Sequence, residues 1–131
     1  MNPRELPGFK KKSFPIPFGG AELWCEHLDG IYEYTDLAIE KLQADYQQFK
    51  RPSMPSLIVI NIDETLMTDS LIAEIAKTLL TDGKIITRVS IVGADRKVKK
   101  KLSEALCAAH FVLGFNRDYQ KAKEYLVSSA K

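Results

Sequence analysis

The sequence predicts an α/β domain: a mixed, largely parallel sheet with helices packed against it, in the order ββαβαβαβα. Three observations carry this. Short apolar runs alternate with longer amphipathic stretches along the chain, the pattern of strands joined by helical crossovers. The segment "SLIVINI" (56–62) is a continuous apolar run, as expected of a central strand covered on both faces. A length of 131 residues at 45% apolar composition gives one ordinary domain enough side chains for a real core.

Residues 1–12 read as a flexible N-terminal arm, with Pro3, Pro7 and Gly8 ahead of Lys10, Lys11 and Lys12, and the domain proper runs over 13–131. "SFPIPF" alternates apolar residues, but Pro15 and Pro17 lack a backbone donor and fit only at a sheet edge. Gly19-Gly20 marks a turn. "AELWCEHL" then sets Leu23, Cys25 and His27 against Trp24, Glu26 and Leu28, a strand of mixed facing closed by Asp29-Gly30.

"YTDLAIEKLQADYQQFK" is the first clear helix, capped by Thr35 or Asp36, with Ile39, Leu42, Tyr46 and Phe49 on one stripe. "RPSMP" breaks it before the 56–62 strand. Asp69 or Ser70 opens the next helix, whose core stripe is Ile72, Ile75, Ala76 and Leu79, and Asp82-Gly83 ends it. "KIITRVSIVG" is a strand closed by Gly93. Asp95 caps "DRKVKKKLSEALCAAH", with Val98, Leu102, Ala105, Leu106 and Ala109 inward. "FVLGF" is a short strand, and Asn116 starts a final helix through Ala122, Tyr125 and Leu126.

A net charge of +2 does not call for nucleic acid. No apolar run approaches the roughly 20 residues that span a bilayer, and the N-terminus lacks the apolar stretch of a secretory signal, so the expected compartment is the cytoplasm. Cys25, Cys107, His27 and His110 show no metal-ligand spacing. No metal and no cofactor are expected, and both thiols are expected to be free and buried. The cations of 96–101 read as a solvated helix face, although residues 51–131 carry 13 basic against 9 acidic residues, which fits a basic patch.

The stretch "VINIDETLMTDS" invites a catalytic reading. The run Asn61-Ile62-Asp63-Glu64-Thr65-Leu66 resembles the Asp-x-Asp-x-Thr-Leu nucleophile motif of haloacid dehalogenase-type phosphatases. In that family the first aspartate takes up the phosphoryl group and the second protonates the leaving group. Asn61 stands at the nucleophile position, where a neutral amide cannot do this. On this reading the chain is a catalytically dead relative, with no catalytic residue of its own.

The element order, with "IVINIDETLMTDSLIAEIAKTL" and "RVSIVGADRKVKKKLSEALCAAHFVLGFNRDYQKAKEYL", resembles the STAS domain, the fold of bacterial anti-sigma factor antagonists and of the cytoplasmic tails of sulfate transporters. The family's central strand runs into a loop bearing Asp-Ser-Ser-Gly at a helix start. Asp69-Ser70 matches its first two positions, while Leu71 and Ile72 stand where the second Ser and the Gly would be. The resemblance implies a non-catalytic regulatory module whose partner is a protein, a kinase-like anti-sigma factor. It implies a partner-binding surface of Asp63, Glu64, Thr65, Thr68, Asp69, Ser70 and Leu71, with Ser70 the candidate phosphorylation site. A phosphate there, near −2 in charge, is the switch that the family uses. A STAS-like domain binding a nucleotide, lipid or anion at the same place is the alternative.

Overall fold

The computed structural model describes residues 2–50, 55–81 and 85–128. The "RPSMP" break, but for Pro55, and the Asp82-Gly83 helix end lie outside them. The fold is α/β, a five-stranded mixed sheet with helices on it. Its strands are β1 (Phe14–Phe18), β2 (Ala21–His27), β3 (Leu57–Asn61), β4 (Arg88–Val92) and β5 (Val112–Asn116). Their spatial order is their chain order. β1 pairs antiparallel with β2, and all later pairs are parallel. The two prolines of β1 therefore sit in an edge strand, where a missing N–H does no harm.

The helices are α1 (Pro7–Lys10), α2 (Thr35–Phe49), α3 (Asp69–Thr81), α4 (Arg96–Ala105) and α5 (Tyr119–Val127). Because side chains alternate across a strand, the sheet has two cores. On one face Trp24, Ile58, Ile60, Val89 and Ile91 meet Leu42, Ile72, Ile75, Leu79 and Leu102 from α2, α3 and α4. On the other, Leu23, Cys25, Val59 and Val92 meet Ala122 and Leu126 of α5. Each large aliphatic side chain so buried contributes about 1.5–3 kcal/mol.

Several expectations need correction. The stretch expected as an arm packs on the domain: Leu6 is buried, Arg4 bonds Glu40 of α2, and Gly8 lies so close to the backbone of Asp29 and Gly30 that a Cβ would come within 2.3 Å of the Asp29 carbonyl. Helix α2 starts after Tyr34, with no side-chain cap. Asn116 ends β5, and Asp118 caps α5 by accepting the Lys121 N–H at 2.9 Å. Helix α4 stops at Ala105, which is exposed, and Cys107 beyond it is exposed as well. Local caps set both boundaries: Asp118 on the Lys121 N–H at the start of α5, and the Leu106 N–H on the Leu102 carbonyl at the end of α4. Among the described residues no helix is long and apolar enough to cross a membrane.

Candidate functional site

The ladder between β2 and β3 does not stop with the strands. Leu28 donates to the Asn61 carbonyl, Gly30 to Asp63 and Tyr32 to Glu64, at 2.9, 2.8 and 3.0 Å, and Leu66 returns a bond to the Tyr32 carbonyl at 2.7 Å. Residues 28–32 thus hold the 61–66 segment at the carboxyl end of the parallel strands, where ligand crevices of open α/β sheets form. Thr65 fastens it from inside. Its buried hydroxyl donates to the Leu28 carbonyl at 2.5 Å and accepts the Ile31 N–H at 3.1 Å. Gly93, at φ +95°, closes β4 beneath this loop, and a Cβ there would meet the Asp63 carboxylate at 2.6 Å.

Two residues of the paired segments, Tyr32 and Glu64, adopt left-handed backbone at φ +53° and +55°. Such conformations are uncommon outside glycine and gather at functional sites. The Tyr32 hydroxyl donates to the Glu64 carboxylate at 3.3 Å. The result is an apolar lip turned outward: Leu66 is 58% exposed and Tyr32 46%. Behind it lies a groove of about 700 Å³, walled by Leu66 and Met67 on one side and by Lys97, Val98 and Lys101 of α4 on the other.

The seven residues expected as a partner surface divide. Asp63, Glu64, Asp69 and Ser70 are exposed. Leu71 and Thr65 are buried, Leu71 completely and out of reach of a partner, Thr65 at the inner lining of the groove. For Leu71 the reason is helical geometry: at the first turn of α3 its side chain joins Ile75 and Leu79 in the core. Thr68 is the helix cap, its hydroxyl accepting the Leu71 N–H at 3.3 Å, a role the sequence gives to Asp69 or Ser70. Asp69 instead bonds Lys101 of α4 at 2.5 Å, which holds its carboxyl below the ordinary value. The Ser70 hydroxyl lies 3.1 Å from that of Thr68. Of the groove's walls, Leu66, Met67, Lys97, Val98 and Lys101 are absent from the sequence reading of the site. An apolar pair inside an acidic loop was the signal available for Leu66 and Met67.

A second group of titratable side chains is packed away around β2. On the α2 side Glu26, buried, accepts the Trp24 indole N–H at 2.9 Å. Burial and the adjoining Asp45 carboxylate, to which it is hydrogen-bonded, push the Glu26 carboxyl well above its ordinary value. Asp45 accepts from Ser13 at 2.7 Å and from the buried Lys41 ammonium at 3.0 Å. Burial works against its charge, yet the hydrogen bonds from Glu26, Ser13 and Lys41 prevail and lower it. On the opposite face His27 Nδ1 lies 2.8 Å from the Tyr119 hydroxyl and 3.3 Å from Asp29, which also takes Lys11 at 2.7 Å. Burial opposes the Asp29 charge, but the bonds from His27 and Lys11 hold its carboxyl at about 2.

An Asp, a His and a Tyr in contact suggest a nucleophilic relay. However, the Tyr119 hydroxyl lies closer to Nδ1, which Asp29 also addresses, than to Nε2 at 3.4 Å, and burial pushes that hydroxyl up, away from ionisation. None of these residues lines the groove. Asn61 belongs to this face: its side chain reaches Tyr119 and accepts the Asp63 N–H at 3.0 Å. Among the described residues no group of three or more His, Cys, Asp or Glu is arranged to hold a metal ion. No family model, curated protein or solved structure matches the chain.

Proposed function

We propose that the chain is a non-catalytic, cytoplasmic regulatory module that binds a protein partner at the groove between the 62–68 loop and α4. The observation that carries this reading is the exposed Leu66–Tyr32 lip, built on two left-handed residues and held by backbone bonds on both sides. An exposed apolar pair held rigidly in a cleft suits association, because little ordering entropy is lost on binding. The element order ββαβαβαβα supports the STAS-like reading, and with it a kinase-like anti-sigma factor as the partner.

Ser70 is the candidate switch within this reading. It is exposed, the next residue after Asp69, which Lys101 holds, and a phosphate there would add negative charge at the start of a 13-residue helix and compete for Lys101. The groove's volume of about 700 Å³ also lies within the range of small-ligand sites, which favours a nucleotide, lipid or anion as the second reading. Nothing supports a phosphatase, because Asn61 is used to hold the loop backbone on the sheet face opposite the groove.

The test is capture from lysate by tagged protein, with and without ATP, beside Leu66→Asp. A kinase-like protein recovered in a nucleotide-dependent way by wild type and lost with Leu66→Asp supports the reading. Identical recovery by both proteins, or magnesium-dependent phosphatase turnover by wild type or Asn61→Asp, overturns it. Ser70→Asp is expected to release the partner with the melting temperature unchanged.

A further inference from the structure

We infer that the groove receives an acidic amphipathic segment of the partner, with one apolar side chain against Leu66, Met67 and Tyr32 and carboxylates against the cations of α4. This rests on the protein-docking reading and adds the chemistry of what docks.

The two walls of the groove differ in kind. The loop wall is apolar at its lip. The α4 wall presents Lys97 and Lys101, four residues apart and so on one helix face, with Val98 between them. Along the same helix Arg96, Lys99 and Lys100 are exposed too. The acids beside them are already engaged: Glu64 by the Tyr32 hydroxyl at 3.3 Å and Asp69 by Lys101. Asp95 is engaged in capping, accepting the Val98 N–H at 2.8 Å, and Lys99 is turned aside over the Phe115 ring at 6.0 Å. Lys97 has no carboxylate within ion-pair distance among the described residues.

Lys101 already indicates the preferred contact. It holds Asp69, whose side chain is 84% exposed. An ion pair so exposed contributes little to stability, so an incoming carboxylate can share or replace it at small cost. The wall therefore has one cation, Lys97, that acts on Asp69 only from beyond ion-pair distance, and one exchangeable cation, Lys101, beside an exposed leucine. That pattern is complementary to an apolar anchor flanked by Asp or Glu.

A nucleic acid or an anionic membrane fits less well. Glu64, Asp69 and Asp95 are interspersed with the lysines, and a continuous ladder of phosphates would meet them in turn. The whole chain, at net +2, supplies no broad basic field.

A random displayed peptide library, selected on the full chain and counter-selected on Leu66→Asp, tests the inference directly. Support is a groove-dependent set rich in Asp and Glu around an aliphatic or aromatic residue. Binding of such a peptide should weaken about tenfold in Lys97→Glu, mostly through association rate, and fall with added salt. Groove-dependent peptides that are neutral or basic overturn the inference and leave the docking reading standing. Absence of any peptide that distinguishes wild type from Leu66→Asp removes the docking reading itself. Sedimentation with vesicles of equal parts phosphatidylserine and phosphatidylcholine, lost in Lys97→Glu, would assign the cations to a membrane and also overturn the inference.

Discussion

Two regions at the carboxyl end of the sheet are built in opposite ways. Around β2, groups that catalytic sites are made of, Glu26, Asp45, Lys41, His27, Asp29 and Tyr119, are largely enclosed and bonded to one another. In the loops beyond them Leu66, after β3, and Tyr32, after β2, ordinarily core residues, face outward. Chemistry is shut in where a substrate would need access, and apolar surface is offered where water would be expected. A cluster of acids and a histidine is thus no sign of catalysis by itself. What the surroundings let it touch decides its role, and association at the groove is the use we propose.

The comparison can be broken by substitution, starting with the largest effect. Leu71→Ala, within the loop's inward set, should cost about 2–5 kcal/mol in chemical denaturation, the range for emptying a packed aliphatic site. A loss near zero would mean that Leu71 faces outward after all. Thr65→Val keeps the shape but leaves the Ile31 N–H and the Leu28 carbonyl without their partner, which should cost about 1–3 kcal/mol and loosen the lip. Hydrogen exchange at Ile31 would report the second effect.

The β2 network makes its own prediction, through pH. Glu26 has a raised folded-state value, so the unfolded chain ionises first as pH climbs past 4.5, while the folded protein keeps its proton. Its contribution is therefore fully present below that point and is lost as pH rises towards the folded-state value. Asp29 acts in the other sense, its contribution being lost as pH falls from 3.8 towards about 2. Glu26→Gln should flatten the decline above 4.5 and leave the acid limb alone, as read from melting midpoints across pH. Leu66→Ser, last and smallest, should change stability by no more than about 0.5 kcal/mol while abolishing partner capture. A large loss of stability would make Leu66 a core residue and remove the contrast.

The parts of this molecule legible in the sequence are those governed by local period. "SLIVINI" is the central strand it looks like, and Ile72, Ile75, Ala76 and Leu79 face the core together. Pro15 and Pro17 lie on an edge strand for the reason that makes them unwelcome elsewhere. What the sequence conceals depends on contacts between distant residues. Tyr32 bridges Thr65, and Lys101 meets Asp69, across separations that no periodicity spans. The candidate groove lies beside the loop that the sequence singles out, with a different membership. The loop after β3 does form one wall of the groove, yet Thr65 and Leu71 look like loop polarity and loop apolarity on paper and are latch and core in space. The other wall, Lys97 to Lys101, reads as a solvated helix until α4 is brought against that loop.

The left-handed backbone at Tyr32 and Glu64 has a further consequence. Glycine would take up either conformation without steric penalty, whereas here the two larger residues meet through their own side chains at 3.3 Å. The shape of the lip and the groups it displays are therefore one property instead of two. If the lip docks a partner as proposed, a change of Tyr32 or Glu64 to any residue other than glycine bears on both the group displayed and the backbone that positions Leu66.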